Sequence, residues 1–289
     1  MHAPPLPDGF SIGPMAREEL TTLIGWASKE GWNPGLADAD IAWEFDPEGF
    51  IALRQGAEFV GGGSILSYGG EFGFMGLFIV RADHRSHGLG RQLWLHRRDR
   101  LRQRLRHGAS IGMDGVLAMV PFYQRGGFEF STLDLRFEGT AEGMASAEVH
   151  PLDSWTFEVV ERFDQLHVPA PRPEFLRRWI HQSGSHAVGI GGPERLTGYG
   201  VARPCETGFK VGPLFAQNAE DARQILGTLL SRVRGQQVQL DVPESNPAGL
   251  TLARDFGLRE SFRCARLYLG GIPRLPVERI FGVTSFEFG

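Results

Sequence analysis

The sequence predicts a mixed α/β protein of two successive domains, each a twisted mixed sheet flanked by helices. Three observations carry this. Short apolar, β-branched or aromatic runs alternate with helical patterns along the chain. In the first half a strand (Phe72–Val80), a glycine-bearing turn (Arg85–Gly90) and a long helical pattern follow one another directly. The second half repeats the theme in weaker form, and 289 residues accommodate two domains of roughly 150 residues each.

The elements follow in order. The segment before Ala16 reads as irregular. Ala16–Ala27 has helical spacing (Leu20, Leu23, Ile24, Ala27), which Glu30-Gly31-Trp32-Asn33-Pro34-Gly35 breaks before a second short helix at Ala37–Trp43. Phe50–Arg54, Glu58–Leu66 and Phe72–Val80 read as consecutive strands, joined by turns at Gln55-Gly56 and Gly69-Gly70. A helix from His87 to Arg106 sets Leu89, Leu93, Leu101 and Leu105 on one face. A strand at Ser110–Met113 precedes a short helix bearing Tyr123, whose start Pro121 delays or kinks. Strands near Phe128 and at Leu133–Phe137 close the half. Gly139–Ala147 is small, polar and non-periodic, so residues 141–152 are expected to link a domain at 1–140 to one at 153–289. Beyond it, Phe175–Gln182 reads as a helix and Ala187–Ile190, Gly198–Arg203 and Lys210–Phe215 as strands. A helix at Ala219–Arg234, a strand at Val238–Val242 and a helix at Asn246–Phe256, ending at Gly257-Leu258, complete the repeat.

Composition narrows the function. Hydrophobic residues make up 42% and charged residues 22%, as in a soluble globular protein. A net charge of -4 argues against nucleic acid as a main partner and mildly favours a cationic acceptor. Cys205 and Cys264 lack metal-ligand spacing, which excludes a zinc site and a disulfide framework and points to a reducing cytoplasm. Met-His-Ala-Pro-Pro-Leu-Pro lacks the basic and apolar regions of a leader, and no apolar run reaches membrane length. Lys29 and Lys210 are the only lysines, a bias attributed to genome composition.

The junction after Phe78-Ile79-Val80 carries the chemistry. Gly88 and Gly90 let backbone N–H groups approach a ligand, and the following helix start adds free donors and a positive dipole end. A phosphate or pyrophosphate suits it. The dinucleotide fingerprint fails, because Leu93 stands where its third glycine belongs, and no Gly-Lys-Ser/Thr of a P-loop occurs. Arg85-Ser86-His87-Gly88-Leu89-Gly90 instead resembles the acetyl-CoA signature of the GNAT superfamily of N-acetyltransferases, with Ala82 where that family often has proline. Phe122-Tyr123-Gln124-Arg125-Gly126-Gly127-Phe128 resembles the GNAT helix whose tyrosine sits near the coenzyme A sulfur, and the order of elements matches too.

The resemblance implies acetyl-CoA bound along Phe78, Ile79, Val80 and Arg85 to Arg91, with no metal. The backbone of Ile79 and Val80 would pair the pantetheine arm and hold the thioester oxygen, and Tyr123 would assist the leaving thiolate. The acceptor would be an amine on a small molecule or a peptide, attacking directly in a ternary complex. Across nearly its whole length the chain resembles bacterial tandem-GNAT proteins with an active first domain and a degenerate second one. Leu214-Phe215-Ala216-Gln217-Asn218-Ala219 has neither the glycines nor the arginine, and Ala253 stands in the place of Tyr123. The second domain would complete the acceptor pocket or a dimer interface. Two rivals stand beside this reading: a non-catalytic acyl-CoA sensor or scaffold, and an aminoacyl or peptidyl transferase, which would not need the pyrophosphate loop.

Other residues are weighed against plainer roles. His84 and His87 lack a third ligand, so metal is not expected. The arginines from Arg97 to Arg106 lack interleaved aromatics and read as a solvated helix face. Asp114 is either a helix N-cap or a group that orients or deprotonates the amine. Trp32 and Asn33 are expected at the edge of the acceptor pocket, and Glu30 and Glu71 are conceivable bases.

Overall fold

A computed structural model describes residues 5–289, and its strands join into one 13-stranded sheet. The first half runs β1 (Phe10–Pro14), α1 (Arg17–Lys29), α2 (Asp38–Phe45), β2 (Phe50–Gln55), β3 (Glu58–Tyr68), β4 (Phe72–Val80), α3 (Leu89–Arg104), β5 (Ser110–Val116), α4 (Val120–Arg125) and β6 (Glu129–Thr140). The second half runs β7 (Val149–Pro151), α5 (Phe157–Asp164), α6 (Pro173–Ile180), β8 (His186–Gly192), β9 (Arg195–Pro204), β10 (Phe209–Ala216), α7 (Ala219–Arg232), β11 (Gln237–Pro243), α8 (Pro247–Asp255), β12 (Arg259–Leu269) and β13 (Ile280–Gly282).

The elements expected from periodicity are present, and β4 has both of its expected ends. β1 forms where an irregular start was expected, because Phe10–Pro14 pairs antiparallel with β2. Residues 1–4 of that expectation lie outside the described residues. β6 is one long strand in place of two, and β7, α5, β12 and β13 are additional.

The sheet order is β1-β2-β3-β4-β5-β12-β6-β11-β10-β9-β8-β7. Each half has therefore given its last long strand to the other. β12 pairs with β5, β6 pairs with β11, and the two exchanged strands pair with each other. The halves cannot separate without breaking three ladders, so the expected boundary near 140 is a change of fold unit and not a hinge.

Helices cover both faces. On one face α1, α2, α5 and α6 pack into a core shared by the halves, including Leu20, Leu23, Phe175 and Trp179. On the other, α3 and α4 cover the first half and α7 and α8 the second, in separate cores. The arginine run is a correction to the sequence reading. Arg97 is fully buried, Arg98 donates to the Gly126 carbonyl, and Arg104 pins the Ile65 carbonyl and Asp46. Periodicity cannot separate a solvated arginine from one that reaches across the sheet to backbone carbonyls.

His167, 2% exposed in the shared core, stacks on Phe215 at 4.9 Å. Its Nδ1 donates to the Phe163 carbonyl at 2.8 Å, and among the described residues Nε2 has no partner. Burial lowers its pKa, so the unfolded chain takes up the proton first as pH falls. Stability is full above the ordinary histidine range near 6.5 and is lost below it, by at most about 1.4 kcal/mol per pH unit. His167→Gln should flatten the fall of melting temperature between about pH 7 and pH 5; an unchanged slope would rule His167 out as its source.

Candidate active site

β4 and β5 run parallel only from Phe72↔Ser110 to Met75↔Met113 and then part. The register between β3 and β4 shifts opposite Gly63, where Leu77 adopts φ 49°, a costly conformation for a residue with a Cβ. Past this bulge the Arg81 amide bonds the Val60 carbonyl at 2.9 Å, so by strand alternation Ile79 also faces β3. Phe78 and Val80 therefore turn their amides into the gap. Of Ile79 and Val80, the two residues expected to act by backbone, Ile79 is turned to β3 and Val80 to the gap.

At the end of β4 the chain turns through Ala82–His84 into the loop of Arg85 to Gly90. Gly88 caps α3 with φ 77°, a left-handed conformation open to glycine, and offers no side-chain cap. Among the described residues, the amides of Ser86, His87, Gly88, Leu89, Gly90 and Arg91 have no hydrogen-bond partner. Six free donors at the positive end of a 16-residue helix form an anion cradle. Arg91 is exposed at its rim and forms no ion pair among these residues, and Ser86 and His87 are exposed with it. Arg85 spans the mouth of the gap, with Nε on the Val80 carbonyl at 2.8 Å and Nη2 on Glu30 at 2.5 Å. His84 lies between Asp83 and Gln55, and no group of three metal-ligating side chains occurs among the described residues.

The second half closes the equivalent features. α7 is capped by Asn218, whose side chain accepts from the Asp221 amide at 2.8 Å, and its first turn carries Glu220 and Asp221. β10 and β11 also part beyond Val211↔Leu240, but there β13 pairs with β10. The chain's own strand fills the slot. Ala253 is buried against the α7–α8 core.

The gap between β4 and β5 opens a cavity of about 360 Å³ through the sheet. Trp94 and Arg97 of α3 and Tyr123 of α4 line it on one face, and Trp32, Phe286 and Glu287 on the other, with Cys264 and Phe262 of β12 between. Tyr123 is 4% exposed beside Trp94, and burial raises its pKa to about 12. It stays a phenol, an O–H donor in the cavity lining. Arg97 gives Nη2 to the carbonyls of Ser64 and Gly76, both at 2.6 Å, and among the described residues Nε and Nη1 are unpartnered. Burial also pushes the Cys264 thiol well above its ordinary range, which removes the thiolate a nucleophile would need.

Trp32 is at the cavity as expected. Its carbonyl accepts from Lys210 at 2.9 Å and Arg136 at 3.2 Å. Asn33 is not in the lining. It fastens the α1–α2 loop to the second half through Thr207 and Gln239. Asp114 is held bidentate by Arg266 of β12 at 2.6 and 2.7 Å, which leaves it neither a cap nor a free base. Glu30 and Glu71 are paired with Arg85 and Arg106. The sequence reading missed Arg97 and the segment Val283–Gly289. This strap leaves β13, crosses to the first half and lays Glu287 against Gly76, where no side chain would fit. Ser-Phe-Glu-Phe, an acid between two phenylalanines, was its only local signal.

Comparison with known proteins gives the family. A model described as the acetyltransferase (GNAT) family matches residues 17–128, and one described as an acetyltransferase (GNAT) domain matches residues 160–282. The chain belongs to the GNAT superfamily and is an acyltransferase built of two GNAT domains, the second without a cradle. It is 26% identical to a holothin acyltransferase of Pseudoalteromonas sp. (strain SANK 73390), over 96% of this chain and 93% of that one. Its fold is similar to that of a protein from Pyrococcus horikoshii (TM-score 0.83, 19% identity, 100% of this chain and 99% of that one). A tandem GNAT protein from the clavulanic acid biosynthesis pathway is also similar (TM-score 0.62, 16% identity, 92% and 100% of the two chains). No helix among the described residues is long and apolar enough to cross a membrane.

Proposed function

We propose that the protein is an acetyl-CoA-dependent N-acetyltransferase that passes the acetyl group directly to an amine, with one active site per chain. The observation that carries this is the contrast between two helix starts: six unpartnered amides at α3, a side-chain cap at α7. In this reading acetyl-CoA supplies the activated thioester. The amides of Ser86 to Arg91, with the Arg91 guanidinium, bind its pyrophosphate. Phe78 and Val80 present backbone groups to the pantetheine arm between β4 and β5. The Arg85 side chain yields the Val80 carbonyl when that arm enters. The Tyr123 hydroxyl stands at the sulfur as hydrogen-bond donor. Direct transfer fits better than a covalent enzyme intermediate, because Cys264, the one thiol in the cavity lining, is held protonated.

The test is calorimetric titration of acetyl-CoA into wild type and Gly88→Val. A Cβ at Gly88 meets nothing within 4 Å, so the fold has room for it. A β-branched residue resists φ 77° at a cost of about 1–2 kcal/mol and stands over the cradle. Binding should be abolished, and normal affinity in the variant would sink the site assignment. Thiol release against a panel of amines then identifies the acceptor.

A further inference from the structure

The cavity is closed on its acceptor side by the strap, and Glu287 is 6% exposed there. Of the four acids in the lining, Glu30 and Asp114 are ion-paired, and Glu138 is exposed. Glu287 alone is buried without an ion pair among the described residues. Its one protein partner there is the Ser285 hydroxyl, which donates to Oε2 at 2.9 Å and itself accepts from the amides of Glu287 and Phe288. Those bonds hold the carboxylate in one place and leave Oε1 for a ligand. The arginines around it are paired with other carboxylates, whereas Lys210 has no carboxylate partner and interacts with Glu287 more than with any other charge. Arg136 is bound bidentate to Asp241, Arg203 to Asp38 and Arg266 to Asp114, and the Lys210 ammonium donates to the Trp32 carbonyl. The Lys210 ammonium offsets part of the cost of burying the Glu287 carboxylate, and no cation is hydrogen-bonded to Oε1 among the described residues. Next to the cavity, sharing Gly31, Glu138 and Gln239 with its lining, lies a mouth that carries Glu138 and Glu206 and no basic side chain.

We infer that Glu287, supplied by the second domain's strap, is the catalytic carboxylate for the acceptor: it binds the ammonium of a primary amine entering past Glu138 and Glu206 and takes its proton. This rests on the acyl-transfer reading above. The ammonium gives one proton to Glu287, which frees the nitrogen lone pair. The C–N bond then forms and the C–S bond breaks. The second proton leaves the nitrogen as the amide forms and ends on the thiolate sulfur, beside the Tyr123 hydroxyl. Glu287 passes its own proton to water, so the sum is ammonium plus thioester giving amide, thiol and one proton.

The experiment compares wild type and Glu287→Gln with 2-phenylethylamine, 1,4-diaminobutane and aniline, which is neutral in solution, by thiol release, with calorimetric acetyl-CoA titrations alongside. With the alkylamines the variant should lose about 100-fold or more in kcat/KM, with acetyl-CoA affinity unchanged. It should recover about tenfold per pH unit as an alkylamine of pKa near 10 becomes neutral. Turnover of aniline should be spared, which a merely structural role would not allow. Activity of the variant within about threefold of wild type on alkylamines, or equal losses on all three amines, would overturn the inference. So would acetyl-CoA binding with no turnover of any alkylamine by wild type. Failure of wild type to bind acetyl-CoA at all would instead overturn the acyl-donor reading on which it stands.

Discussion

Tyr123→Phe is expected to lower kcat about 100-fold or more while leaving acetyl-CoA affinity within about twofold. The ring stays in place in the variant. It lies against Gly115, where a Cβ would collide with it, and packs on Trp94 and Phe122 at 5.8 and 5.6 Å. Only the hydroxyl is lost. Burial raises the phenol's pKa to about 12, so it keeps its proton throughout the range in which a released thiolate, of thiol pKa near 8.5, needs a donor. The sign for pH follows. The acid form is the active one and its pKa is raised, so Tyr123 should not limit the rate until pH approaches 12. Stopped-flow thiol release with the alkylamines measures both quantities. A kcat within about threefold of wild type would remove Tyr123 from the chemistry.

Phe288→Ala should have the largest effect on stability. Phe288 is almost wholly buried in the core shared by the halves, and its carbonyl accepts from the Tyr68 hydroxyl at 2.5 Å. Truncating a buried phenylalanine costs about 3–5 kcal/mol, which for a chain of this size lowers the melting temperature by roughly 10 °C. Ile272→Ala, at an exposed site, should change stability by less than about 0.5 kcal/mol. Below its melting temperature Phe288→Ala should lose turnover more than acetyl-CoA binding, since the strap holds Glu287 and not the cradle. Calorimetric melting curves and thiol release on the same samples separate the two effects. Loss of binding in step with turnover would mean that the strap supports the whole site.

The cradle was legible in the sequence because it is short-range. Gly88 and Gly90, the strand before them and the helix after them lie within about one βα unit, and local spacing decides their conformation. Tyr123 was legible through its own helix end. The acceptor side was not, because strand partners are chosen at long range. Nothing in Arg259–Leu269 says that it pairs with β5 of the other half, so Arg266, which ties up Asp114, could not be foreseen. Glu287 reaches the cavity only because β13 fills the second slot and sends the chain on across Gly76. Arg97 shows the same limit within one helix. Its neighbours Arg100 and Arg102 are exposed, and only the close approach of α3 to β3 and β4 turns its guanidinium inward.

In the proposed function one half carries the donor site and the other has plugged its own. This is tested most directly by the stoichiometry of acetyl-CoA binding to the full chain, measured by calorimetry with protein concentration fixed by amino-acid analysis. One acetyl-CoA per chain is expected, abolished by Gly88→Val and indifferent to Asn218→Gly. Two molecules per chain, or one that persists in Gly88→Val, would contradict it.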